Sequence, residues 1–395
     1  MKILILTGKF GMGHIKAAEA IKEELIHCRA ELDGARLPEG YIIRYARMGI
    51  HCRVSDIEII DWIEYMTPLC AKYIYGSYSA LIRRSTVFYN LHYKSSENRS
   101  ITQKTNLACY IRMNQLIHDK QPDLIISVLA YASKAVSYYK ALSGSPIPLI
   151  TCVTDITAHS EWINNHTNAY AVGSEEVRQS LVRKGIPKEQ IYVTGIPVRQ
   201  RFKNGESERN SRPKILLMGG GLGLLPKRLD FYQHLSEKIP ADMTLITGKN
   251  EKLYRKLHGR FKNIHVLGYV KNIEAYFLRS DLVITKPGGI TTFEAIYSET
   301  PILALNPTMR QEKYNAEFIT KHEIGKTFIL ENDARDAERI AALICNNTQI
   351  EHYKQRMRQM KKTYAACTMT ELINELTTAL PLGGTLHDEI FSFNF

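Results

Sequence analysis

The chain has 395 residues, 44% of them apolar and 23% charged, with 24 Gly and 14 Pro. That length and apolar content suit two domains with their own cores, and exclude a disordered, collagen-like or low-complexity chain. A net charge of +12 points to an anionic partner (nucleic acid, anionic lipid or a phosphorylated ligand) without choosing among them.

Lys2–Thr7 reads as a first strand. Its apolar run is too short for a secretory leader, so a cytosolic protein is expected. Gly11-Met12-Gly13 follows, then a helix starting near Ile15 and reaching Ile26. Further strands are expected at Val54–Ile60, Leu124–Val128 and Leu149–Val153. Even the longest apolar runs, Leu124–Ala132 and Pro148–Val153, fall short of the roughly 20 residues that span a bilayer. The polar stretch Gln200–Pro213 reads as a linker. Beyond it the strand–glycine–helix plan restarts, with strands at Lys214–Met218, Met243–Thr247, Ile264–Leu267, Leu282–Thr285 and Ile302–Leu305. Glu351–Thr378 reads as helix and Pro381–Phe395 as a tail. Strands alternating with helical patterns imply parallel sheets built from βαβ units. The expected division is residues 1–199, a linker 200–213, a second domain 214–350 and a C-terminal helix and tail 351–395. The seven cysteines are dispersed with no Cys-x-x-Cys, which argues against a disulfide framework or a zinc site.

Three times a strand runs through glycine into a helix: at Gly11 and Gly13, at Gly219, Gly220 and Gly221, and at Pro287-Gly288-Gly289 followed by Ile290 and Thr291. Unpaired N–H groups at a helix start attract phosphate, and glycine lets it approach the backbone. Each turn alone is weak evidence, since a glycine there often serves only a tight turn. Together they suggest a nucleotide between two domains. Glu294 has two readings: half of a Thr291-x-x-Glu294 capping box, or a carboxylate for two ribose hydroxyls.

Five segments then carry a resemblance. They are Lys286-Pro-Gly-Gly-Ile-Thr-Thr-Phe-Glu294, Leu305-Asn-Pro-x-x-x-Gln311-Glu-x-x-Asn315-Ala316, Met218-Gly-Gly-Gly221, Val193-Thr-Gly-Ile-Pro-Val-Arg199 and Val153-Thr-Asp155-x-x-x-His159-x-x-Trp162. In this order of types they resemble the monogalactosyldiacylglycerol synthase and processive diacylglycerol glucosyltransferase family, within glycosyltransferase family 28. The resemblance implies an α/β GT-B fold: two Rossmann-like domains with parallel sheets facing an interdomain cleft, the C-terminal helix returning to the first domain. It also implies that Glu294 holds ribose, Gln311 reads sugar hydroxyls, Arg199 lies near the donor phosphates, and the Tyr269 and Val270 backbone pairs with uracil.

No Asp-x-Asp motif is present to hold a metal on a diphosphate. Glycine turns and Arg199 can stabilise the departing charge instead, so a metal-independent reaction without cofactor is expected; inversion is what the resemblance implies. His14 suits a general base near neutral pH, and the family carries a histidine there. Asp61 at a strand end is either a second catalytic carboxylate or a helix N-cap. Asp155, His159 and Trp162 are further candidates on the acceptor side.

Between Tyr65 and Arg112 aromatic and basic residues interleave, among them Tyr73, Arg83, Arg84 and Tyr89. The mixture fits the headgroup level of an anionic leaflet; it also fits single-stranded nucleic acid or a helical excursion packed on the first domain. With the resemblance, the expectation is a peripheral enzyme on the cytoplasmic face of the membrane. It would move a hexose, glucose foremost, from UDP-hexose to 1,2-diacylglycerol, repeatedly if the product re-enters, with no nucleic-acid partner. Three alternatives stay open: N-acetylglucosaminyl transfer to a lipid-linked peptidoglycan precursor, a UDP-N-acetylglucosamine 2-epimerase, and a non-catalytic UDP-sugar sensor.

Overall fold

The computed structural model describes residues 1–34, 56–84, 107–157, 159–203 and 212–379. The short Ile-, Leu- and Val-rich runs form strands covered by helices on both faces, which is why they lack polar alternation. In the first domain they are β1 (Lys2–Thr7), β2 (Asp56–Asp61), β3 (Leu124–Ser127), β4 (Leu149–Cys152), β5 (Ala169–Val172) and β6 (Ile191–Val193). The helices there are α1 (Gly13–Gly34), α2 (Trp62–Met66), α3 (Ala71–Arg84), α4 (Leu107–Lys120), α5 (Ala130–Ser143), α6 (Glu175–Arg183) and the short α7 (Gln200–Lys203). All strands pair in parallel in the order β2-β1-β3-β4-β5-β6, with Ile3 opposite Ile57 and Leu124.

The second sheet holds β7 (Lys214–Met218), β8 (Asp242–Ile246), β9 (Ile264–Leu267), β10 (Leu282–Thr285), β11 (Ile302–Leu305) and β12 (Gly325–Phe328). Its order β9-β8-β7-β10-β11-β12 is that of a doubly wound nucleotide-binding fold. Helices α8 (Leu229–Lys238), α9 (Glu251–Leu257), α10 (Ile273–Leu278), α11 (Gly289–Ser298), α12 (Arg310–Lys321) and α13 (Asp333–Ile344) accompany it. Two Rossmann-like units thus meet as expected.

The C-terminal stretch read as one helix is two, α14 (Asn347–Tyr364) and α15 (Met369–Ala379). Thr368 and Glu371 explain the break: each side chain accepts from the other's backbone N–H, at 2.8 and 3.2 Å, starting a new helix. α15 packs on α1 and β5 of the first domain, where Thr370 N donates to Glu24 at 3.2 Å and Tyr192 donates to Glu375 at 3.0 Å. The stretch read as a linker opens with α7 because Phe202 is fully buried; residues 204–211 and the tail 380–395 lie outside the described residues.

One apolar cluster runs from Ile3 and Ile5 through Ile196 and Phe293 to Met357 and Tyr364, so both domains share a core at their junction. Phe293 sits 5.1 Å from the Tyr364 ring and against Gly195, where φ is +74° and a Cβ would lie 3.0 Å from the Phe293 ring. Beside it Lys203 pairs with the buried Glu24 at 2.9 Å.

The loop after β7 is tied just as tightly. Gly223 has φ +62°, and a Cβ on it would meet the Thr247 carbonyl oxygen at 1.9 Å. Gly223→Ala should therefore cost about 2 kcal/mol or more and lower the melting temperature by several degrees. Gly259→Ala, at φ +71° in open space, should cost only about 1 kcal/mol. Equal losses in calorimetry would contradict the close approach.

Candidate active site

In doubly wound sheets, ligands bind beyond the carboxyl ends of the strands where the strand order reverses. The reversals here lie between β1 and β3 and between β7 and β10. The turns that follow these strands face one another across a cavity of about 380 Å³. Phe10, Met12, Gly13, His14, Lys16, Tyr78, Thr154, Asp155 and Arg199 line it from the first domain. From the second come Met218, Gly220, Gly221, Ile246, Gly248, Tyr269, Val270, Lys271, Ile273, Gly288, Gly289, Ile290, Thr291, Glu294 and Gln311.

Close backbone approach is what the glycines permit. A Cβ on Gly289 would lie 2.6 Å from the Thr154 carbonyl oxygen, and one on Gly221 would lie 2.8 Å from Met12 Cγ. Both contacts cross the cleft. Gly288 is the N-cap of α11, so the unpaired first-turn N–H groups belong to Gly289, Ile290 and Thr291 on the cavity wall. Gly220, with φ +66°, forms the opposing loop. Gly219 does not reach the cavity; a Cβ there would strike Leu224 N at 2.4 Å, so its smallness serves the turn itself. Gly11 and Pro287 also stay off the wall, Gly11 supplying a turn at φ +87° and Pro287 an acceptor for Asn315 Nδ2 at 3.0 Å.

The structure removes one of the two readings of Glu294. No Thr291–Glu294 capping box forms, since the helix begins at Gly289. Glu294 is buried on the cavity wall, and no hydrogen bond among the described residues holds its carboxylate. Burial pushes its pKa up to about 7, against the pull of Arg199 and Lys16, with Glu274 adding to the rise. Arg199 is fixed by Glu274 at 2.6 Å and by the Lys271 carbonyl at 3.4 Å, which ties the first domain to α10. Tyr269 and Val270 follow β9, the tyrosine ring half-exposed.

His14 opens α1. Its Nδ1 lies 2.8 Å from the Val128 carbonyl oxygen and 3.1 Å from Thr154 Oγ1. A carbonyl only accepts, so Nδ1 carries the proton and Nε2 keeps its lone pair. Burial lowers the His14 pKa, opposed by Asp155 and the Val128 bond. Burial raises Asp155, opposed by His14 and by hydrogen bonds from Trp162 and Gln311. Trp162 Nε1 donates to Asp155 at 3.1 Å, and Gln311 donates to the same carboxylate from across the cleft.

Several expected acceptor-side residues sit elsewhere. Trp162 is buried and cannot reach lipid; it holds Asp155. His159 is buried and accepts from Glu161 N at 3.3 Å. Asp61 is off the cavity wall and is the N-cap of α2, accepting from Ile63 N and Glu64 N at 3.1 and 3.0 Å and from Tyr75 at 2.5 Å. All three bonds fall on Oδ1, as the N-cap reading expects, and Oδ2 has no hydrogen bond among the described residues, with Lys9 Nζ at 3.7 Å. Tyr73 is 78% exposed on α3, with Leu69 at 89% just before that helix. The side chains of Arg83 and Arg84, and all of Tyr89, lie outside the described residues. Sequence reading did not single out Phe10, Lys16 or Thr154 as site residues. Only their closeness to glycine turns and motif residues marks them.

Among the described residues no group of three or more His, Cys, Asp or Glu side chains is arranged to hold a metal, and no helix is long and apolar enough to cross a membrane.

The family model for monogalactosyldiacylglycerol synthase matches residues 45–198, and that for the glycosyltransferase family 28 C-terminal domain matches residues 224–375. A processive diacylglycerol beta-glucosyltransferase of Staphylococcus carnosus (strain TM300) is 26% identical over 92% of this chain and 90% of its own length. The protein of that name from Staphylococcus saprophyticus is 28% identical, covering 95% of this chain and 93% of its own length. Among solved structures, a glycotransferase of kitacinnamycin superposes with a TM-score of 0.62 at 12% identity, over 96% of this chain and 99% of its own. The calicheamicin glycosyltransferase CalG4 gives 0.59 at 12% identity, over 95% and 98%. The fold is therefore GT-B, the first domain matches the monogalactosyldiacylglycerol synthase family and the second the glycosyltransferase family 28 C-terminal domain, and the chain is a glycosyltransferase.

Proposed function

We propose that the cleft transfers a hexose, glucose in our reading, from UDP-hexose to the 3-hydroxyl of 1,2-diacylglycerol, with inversion and without a metal, and that it can act again on its own product. The observation that supports this most is the opposition of two groups across one cavity. His14 offers an unprotonated Nε2 from the first domain; Glu294 offers an unpartnered carboxylate from the second. The names of the relatives support the acceptor class.

Uracil lies along the backbone of Tyr269 and Val270, and ribose donates both hydroxyls to Glu294. The diphosphate rests against the N–H groups of Gly289, Ile290 and Thr291 and the loop at Gly220 and Gly221. Preorganised amides and a helix start stabilise the charge that develops on the leaving group. His14 Nε2 takes the proton of the acceptor hydroxyl as its oxygen attacks the anomeric carbon. The bond from that carbon to the β-phosphate oxygen breaks, UDP leaves with the electron pair, and the configuration inverts. Asp155 stabilises the imidazolium as it forms. Gln311, which donates to Asp155 across the cleft, exchanges that bond for a donor-sugar hydroxyl. Exposed Leu69, Tyr73, Leu107 and Ile111, with Lys72 and Arg112 nearby in sequence, suit a peripheral contact with an anionic leaflet on the cytoplasmic face.

Incubating the protein with UDP-glucose, UDP-galactose and UDP-N-acetylglucosamine and diacylglycerol vesicles, with thin-layer separation of products, should yield glucosylated lipid. No glycolipid from any donor would contradict the reading. His14→Ala should lower kcat about a hundredfold or more, the usual worth of a general base; near-wild-type turnover would remove His14 from that role. EDTA should leave turnover unchanged, and a loss restored by Mg²⁺ or Mn²⁺ would contradict the metal-free step.

Glu294 gives a pH dependence with a definite sign. Below about 7 the free carboxyl is protonated, whereas the ribose-bound form is ionised. Binding must then expel a proton, so affinity for UDP should fall as pH drops below 7, by at most about tenfold per unit, and level off above it. Calorimetric titration of Glu294→Gln should lack the part of this slope that the carboxyl supplies; an identical profile would contradict the assignment.

A further inference from the structure

The first-domain wall of the cleft carries an aromatic feature that the transfer step does not use. Phe10 meets Tyr75 and Tyr78 edge-on, both at 5.1 Å between ring centroids, and Tyr131 at 6.2 Å in a tilted arrangement. Phe10 and Tyr78 line the same cavity as His14. Tyr131, in the first turn of α5, continues the group outward and is 48% exposed. Gly8 permits the packing: a Cβ there would lie 3.3 Å from the Tyr75 hydroxyl and 2.9 Å from Leu129. Asp61 braces the group from behind by accepting from the Tyr75 hydroxyl.

The charged groups behind this wall are turned on one another, Lys9 pairing with Glu64 and standing 3.7 Å from Asp61. A wall that is aromatic, lined with hydroxyls and internally neutralised favours a neutral ligand over a phosphorylated one. An aromatic face with a polar edge suits a pyranose, whose axial C–H bonds form an apolar face and whose hydroxyls need partners at the rim. Tyr78 and Tyr131 supply both elements, and burial pushes the Tyr78 hydroxyl up to about 12, so it stays a donor.

We propose that Phe10, Tyr78 and Tyr131 form an acceptor-sugar subsite, which holds the hexose of an already glycosylated lipid and presents its hydroxyl to His14. This rests on the proposed transfer to diacylglycerol and names what permits a second round. Tyr131 is the specificity-determining residue, because its exposed ring adds stacking area only when a sugar is present.

The test supplies diacylglycerol and monoglucosyldiacylglycerol separately, each in the same vesicles with UDP-glucose. In Tyr131→Ala the ratio of kcat/KM for the glucosylated lipid to that for the plain lipid should fall about fivefold or more, and Tyr131→Phe should keep most of it. Equal losses on both lipids, or no change in the ratio, would overturn the subsite. So would a wild-type protein that glycosylates diacylglycerol but never its product. A wild type inactive on both lipids counts against the proposed function, and a second readout then decides the subsite alone. Saturation-transfer NMR with octyl β-glucoside should show transfer to the sugar-ring protons in the wild type and in Tyr131→Phe but not in Tyr131→Ala. Transfer confined to the alkyl chain would mean that the wall takes lipid, and would overturn the proposal.

Discussion

Gly289 and the Thr154 carbonyl oxygen meet so closely that a methyl group between them would sit 2.6 Å from that oxygen. This contact joins the first turn of α11 to the strand end that carries Asp155, and it sets the width of the cleft. Met12 on Gly221 repeats the constraint a few residues away. A larger residue at Gly289 would press on backbone and wedge the domains apart, turning His14 away from the second domain, whereas at Gly221 the Met12 side chain would have to move. The apolar junction around Phe293 holds the same arrangement from behind.

Within that frame the polar groups divide by what they already hold. Asp155 is held from both domains by Trp162 and Gln311, and His14 is oriented by Val128 and Thr154. Arg199 is anchored to Glu274. Glu294 alone among these is buried on the wall without a hydrogen bond from the described residues, and burial raises its pKa. Burying a carboxyl without partners is costly. A ligand that brings two hydroxyls would relieve the cost, which is why this residue carries so much of the functional reading.

Much of the sheet architecture was legible because it depends on local patterns. β1, β7, β9, β10 and β11 fall where short, mostly apolar runs place them. Three further strands were too short or too polar to be legible. Ala169–Val172 and Ile191–Val193 are apolar but only four and three residues long, and Gly325–Phe328 is half polar, so pairing with neighbouring strands completes them. The glycine turns and Glu294 could be found because their motifs are contiguous. Asp61 had two readings, of which the structure shows the N-cap, and Trp162 holds a buried carboxylate: a side chain at a strand end or beside a motif can point at a helix cap or a neighbouring carboxylate as readily as at a substrate. Phe10, Tyr78 and Tyr131 lie far apart along the chain, so only the fold assembles their wall.

The most direct test of the account is a crystal structure of the protein soaked with UDP. The nucleotide should lie between the domains, its ribose on Glu294 and its phosphates against the amides that follow Gly288 and beside Gly220. UDP bound elsewhere, with that gap holding only solvent, would contradict it.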